Sequence, residues 1–138
     1  MKKLSCALLG GLVILAVNAG PAIGIPAFKK QFEERYIGEN EDSPMAVSFG
    51  EAKCYTCHVP GEKKEVNNAY GIALSELLDK DDFKRDRLRA EPEAAEAEIR
   101  AALEAVESIE SPTGGTYLER IEANLLPIEF VPAPEDDE

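Results

Sequence analysis

The sequence predicts an all-α domain, a bundle of about five short helices, and three observations carry that expectation. Apolar residues recur at helical spacing in each stretch long enough to form an element. Start signals for helices stand ahead of several of those stretches. No alternating apolar–polar run of the strand type occurs, and there is no internal repeat.

Taken in order, Phe28, Phe32 and Tyr36 form one stripe at i, i+4, i+8 just after Pro26, which predicts a first short helix. Gly38 to Ala46 has turn chemistry, with Met45 embedded in it. Ser48 and Glu51 fit a capping box, so a second helix is expected to start there and stop at Pro60-Gly61. A polar loop follows, and then Ala69, Ile72, Ala73 and Leu77 are in helical spacing, with Phe83 and Leu88 beyond them. Pro92 is well placed to open a helix running to about Ile109. Its Ala95, Ile99, Ala102, Leu103, Val106 and Ile109 share one side, and glutamate and alanine fill most of the rest, as in a solvated outer helix with one packing face. Ser111 to Gly115 breaks the chain. Thr116 and Glu119 form a second capping-box pattern ahead of Leu118, Ile121 and Leu125. Residues 128–138, proline-rich and ending in acids, read as a disordered acidic tail.

The N-terminal segment is of another kind. Lys2 and Lys3 precede an apolar run from Ala7 to Val17, and Val17, Asn18 and Ala19 supply a small-residue cleavage site. Residues 1–19 are therefore expected to be a secretory signal peptide, which makes the protein periplasmic or otherwise secreted and leaves 20–127 as one domain. The run falls short of the roughly twenty residues of a membrane span; membrane attachment follows only if the segment stays uncleaved. Cys6 lies before the apolar run, where a lipoprotein cysteine does not sit, and leaves with the signal.

Losing Lys2 and Lys3 takes the 15 basic residues to 13 against 27 acids, and the net charge from −12 to −14. Such a surface excludes nucleic acid as an expected partner and favours a basic protein patch. Large apolar residues are few: five phenylalanines, four tyrosines and no tryptophan in 138 residues. A domain this small with so thin a core usually needs a covalent staple or a large apolar ligand.

The chain's one histidine, His58, follows Cys54-Tyr55-Thr56-Cys57 directly, and those are the only cysteines after the signal. Cys-x-x-Cys-His is the attachment signature of c-type haem: two thiols two residues apart reach the two vinyl groups of one porphyrin, and the adjacent imidazole becomes the proximal iron ligand. Zinc wants four ligands, and only carboxylates could complete that set. A thioredoxin-like pair is expected beside a βαβ pattern, which is absent. A plain disulfide leaves the histidine unexplained.

With this motif, the helix before it and a helical remainder, the chain resembles the monohaem cytochromes c and, within them, the small secreted planctomycete-type cytochrome c group. The resemblance implies one covalent haem c, an iron cycling between Fe(II) and Fe(III), and a role as an electron carrier working with a basic redox partner. Common members place a methionine far downstream as the sixth iron ligand. Here no methionine or histidine follows His58, and the only methionine after the signal is Met45, thirteen residues before it.

Three readings of the distal side stay open. Met45 can fold over as the iron ligand. The face can be open, walled by Phe49, Tyr70, Phe83 or Tyr117, giving a haem protein that binds a diatomic gas or peroxide, with weak peroxidase-type activity. Or Lys53, Lys63, Lys64, Asn67 or a partner chain can supply the ligand, the last making the protein a haem subunit of a larger redox complex. In the electron-carrier reading it is not an enzyme and has no catalytic residue.

Overall fold

The computed structural model describes residues 26–133. The expected signal peptide, with Cys6, and the end of the acidic tail at 134–138 lie outside the described residues. Within them the chain is all-α: helices α1 (Pro26–Tyr36), α2 (Pro44–Ala52), α3 (Ala69–Ser75), α4 (Arg85–Ala90), α5 (Pro92–Val106) and α6 (Tyr117–Glu122), with 3-10 turns at Lys53–Thr56 and Lys80–Phe83. No strand forms there, only isolated bridges pairing His58 with Asn67 and Glu110 with Thr116. Among the described residues no helix is long and apolar enough to cross a membrane.

The longest helix, α5, is the hub. Helices α1, α3 and α4 all pack on it, and its Ala95, Ile99, Ala102, Leu103 and Val106 are buried as their spacing predicts. As expected it has one packing face and is exposed at most other positions, and it ends before Ile109, which is 39% exposed. Helix α1 brings Phe32 against the core, where it stacks on Phe49 of α2 at 5.1 Å and meets Tyr70 of α3 edge-on. Tyr70 in turn meets Tyr117 of α6 at 4.9 Å. This aromatic chain ties four helices together with few residues, each such pair adding about 0.5–1.5 kcal/mol beyond area burial.

Three expectations are corrected. Helix α2 starts at Pro44, not at Ser48: the Ser43 hydroxyl accepts from Ala46 N at 3.1 Å and proline occupies the first turn, a stronger start than the serine five residues on. Met45 consequently lies inside a helix, 2% exposed, instead of in a turn. Helix α3 is rotated from its expected stripe. Tyr70, Gly71, Ala73 and Leu74 face inward, leaving Ile72 and Leu77 each 51% exposed. The tail also begins later than predicted: Ile128 and Phe130 pack against the core, and the Phe130 ring lies parallel to that of Tyr55. The Thr116–Glu119 capping box forms as expected, with both of its hydrogen bonds present.

Candidate functional site

The Cys-x-x-Cys-His segment does not ride the last turns of α2. The helix stops at Ala52, and Lys53 takes φ 49°, ψ −112°, a conformation that costs a non-glycine residue on the order of 1–3 kcal/mol. That break turns the chain into the tight 3-10 turn holding Cys54, Tyr55 and Thr56. The Cys54 carbonyl then accepts from both Cys57 N (3.2 Å) and His58 N (3.1 Å), which folds the two cysteines and the histidine into one compact loop.

Helix α3 clamps this loop. Asn68 caps α3 by accepting from Gly71 N at 3.0 Å, while its amide nitrogen donates to the carbonyls of Tyr55 (3.2 Å) and Thr56 (3.0 Å). Its backbone N–H donates to the Cys57 carbonyl at 2.9 Å. Gly71 then presses directly on that carbonyl: a Cβ there would lie 2.1 Å from the Cys57 oxygen, so only glycine fits. This contact fixes the rotation of α3. The Val59–Val66 loop is pinned at its base by Val59 N donating to Val66 O.

Cys54, Cys57 and His58 open onto a cleft of about 250 Å³. Its walls come from four helices: Phe28 and Phe32 of α1, Phe49 of α2, Leu74 of α3, and Ile99 and Leu103 of α5, with Leu78 just after α3. Thr56 and two lysines, Lys29 and Lys53, also border it. Neither thiol is in a disulfide among the described residues. Burial, helped by the neighbouring Cys54, pushes the Cys57 thiol up to about 12, so at neutral pH it is a protonated thiol and not an activated thiolate. One imidazole nitrogen of His58, Nδ1, is buried with no hydrogen-bond partner among the described residues, as are the hydroxyls of Thr56 and Tyr70. Buried polar atoms normally find a partner, and two of these orphaned groups belong to Thr56 and His58, which border the apolar cleft.

The remaining sequence-derived candidates fall elsewhere. Met45 belongs to the buried core cluster and is not among the residues bordering the cleft. Of the expected distal walls, Phe49 borders it, while Tyr70, Phe83 and Tyr117 are core. Lys53 borders it; Lys63 and Lys64 lie on the pinned loop instead, and Asn67 just after it is bridged to His58. Among the described residues, no three His, Cys, Asp or Glu side chains gather as a metal-ion group. Sequence reasoning missed Lys29, Asn68 and Gly71. The Asn-Ala-Tyr-Gly run at 68–71 carried a signal for the last two, a capping residue with glycine at the third helical position. No family model matches the chain, and neither a curated protein nor a solved structure does.

Proposed function

We propose that the chain is a monohaem c-type cytochrome, an extracytoplasmic electron carrier. The observation that carries this reading is the placement of the chain's only Cys-x-x-Cys-His on an apolar cleft, with a buried His58 nitrogen left unpartnered. Cys54 and Cys57 would hold a haem c as thioethers, and His58 would ligate its iron. Bound there, the haem supplies a one-electron Fe(III)/Fe(II) couple. This attachment asks only the histidine to reach the metal, so the three side chains need not gather around one point. The aromatic and aliphatic walls exclude water from the bound group, and the clamp from Asn68 and Gly71 fixes the backbone from which His58 projects. The cleft volume is just below that of ordinary ligand pockets, roughly 300–1,000 Å³, so part of a porphyrin would remain outside it.

The position of Met45 favours a second reading within the same class. With no thioether among the described residues that border the cleft, the iron face opposite His58 would be open to a diatomic gas or peroxide.

The test is expression with export in a host that attaches haem c. The purified protein is expected to keep its haem through denaturing electrophoresis, and C54A/C57A to lose it. A wild-type chain that emerges exported, folded and colourless overturns the proposal. Carbon monoxide added to the reduced protein then separates the two readings: an unchanged visible spectrum supports the electron carrier, and a prompt shift supports the open site.

A further inference from the structure

The cysteine loop meets the C-terminal segment of the chain as well as α3. Tyr55 stands between Cys54 and Cys57 but is not among the residues bordering the cleft. Its ring lies parallel to that of Phe130 instead, with centroids 6.1 Å apart and planes 7° from one another. Three residues on, Ala133 meets the chain just past the histidine: a Cβ on Gly61 would lie 3.4 Å from the Ala133 Cβ. Residues 128–133 therefore bridge Tyr55 and Gly61, the stretch that contains Cys57 and His58. The root of this segment is firm. Ser111 Oγ donates to the carbonyl of the buried Pro127 at 2.8 Å, and Arg120 Nε donates to that of Leu126 at 3.0 Å. Beyond Pro127 the attachment changes in kind. Among the described residues no backbone hydrogen bond holds 128–133; Ile128 and Phe130 secure them by packing against the core. A cleft of about 190 Å³ remains between them and Ser48 and Glu51 of α2. A segment held by side-chain contacts alone belongs to the low end of local stability.

We propose that residues 128–133 are a strap across the cysteine loop, and that Phe130 is a positioning residue which acts through Tyr55 to hold His58 in place. The proposal rests on the haem attachment proposed above and deepens it. Cys57 N and His58 N both donate to the Cys54 carbonyl, so the turn that carries Tyr55 is the turn that aims the imidazole. The groups behind a metal ligand orient it. Two clamps of different kinds hold this turn. Helix α3 grips it by hydrogen bonds to the carbonyls of Tyr55, Thr56 and Cys57. The strap adds one aromatic contact, and it detaches about its root without breaking a backbone hydrogen bond of the bundle. Its opening loosens His58 while the helices stay folded.

The test is a urea titration of the haem-loaded protein read by two probes. The visible spectrum reports whether His58 is on the iron, and far-ultraviolet circular dichroism reports the helices. One cooperative transition makes the two curves coincide. The expected result is that they separate in F130A, with His58 leaving the iron at lower urea than the helices melt. The ratio of ligated to unligated iron at a fixed urea concentration is expected to fall about two- to tenfold, the loss of one aromatic pair. Y55A is expected to do the same, and Y55A/F130A no more than either alone, because all three remove one contact. F130Y keeps the ring and is expected to restore coincident curves. Two controls separate position from stability: V131A, at a side chain 67% exposed, is expected to move neither curve, and S43A, which uncaps α2, to move both together. Coincident curves in F130A and Y55A, with the haem still covalently held, overturn the strap and leave the proposed function standing. Wild-type protein without haem overturns the positioning role together with that function.

Discussion

Asn68 serves two structures with one side chain. Its amide oxygen caps α3, and its amide nitrogen holds the carbonyls of Tyr55 and Thr56. An ordinary cap is worth about 1 kcal/mol, and Ser43, which caps α2 through a single bond to Ala46 N, provides the comparison within the same protein. Urea unfolding is expected to show N68A losing more stability than S43A, by about the net 0.5–1.5 kcal/mol of an added hydrogen bond; equal losses would remove the clamp from this account. Gly71 admits a sharper expectation. Its missing Cβ is the space that the Cys57 carbonyl occupies, so G71A must push α3 off the cysteine loop at a cost of about 1–3 kcal/mol. The same substitution at Gly50, where a Cβ meets nothing within 4 Å, is expected to be neutral or stabilising, since alanine is the better helix former. A G71A protein as stable as G50A would show that the contact is not a constraint.

Among the elements, α1 and α5 were readable from their stripes because each presents one continuous apolar face to a single neighbouring layer. Helix α2 was misread at its start because the Ser48 and Glu51 spacing matches a capping box, whereas the cap that forms is Ser43 ahead of Pro44. Helix α3 was misread in rotation because its register is set by a backbone contact, Gly71 on Cys57, and not by its largest apolar residues; Ile72 and Leu77 lie exposed as a result. The α1–α5 pairing has a pH signature. Tyr36 donates to the Leu103 carbonyl and to Glu107, and burial, then the bond to Glu107, raises its phenol above the ordinary value near 10. The buried phenol of Tyr70 is raised as well, first by burial. The unfolded chain releases these protons near pH 10 and the native protein holds them, so this contribution is intact below about pH 10 and is lost as pH rises toward the native-state values. Urea midpoints are expected to fall between about pH 8 and about pH 11, with a shallower fall in Y36F; an unchanged slope in Y36F would place the alkaline transition elsewhere.

For the whole molecule, the all-α class and the cysteine–histidine motif were legible because both are written in contiguous residues. The cleft was not, because its walls come from four helices and its two lysines lie 24 positions apart in the chain. Charge joins the two scales. The chain carries a net charge of −12, while the described residues that border the cleft include Lys29 and Lys53 and no acid. On the proposed electron-carrier function, an acidic surface would attract a basic redox partner over long range and give fast, short-lived association. The screening length falls from about 30 Å at 0.01 M salt to about 8 Å at 0.15 M, so second-order electron transfer between the haem-loaded protein and a small basic redox protein is expected to slow steeply over that interval. Transfer to an acidic redox protein is expected to speed up over the same interval, as repulsion is screened. Stopped-flow mixing at several salt concentrations reads both trends. A rate indifferent to salt with the basic protein would mean that the acidic surface serves solubility and not docking.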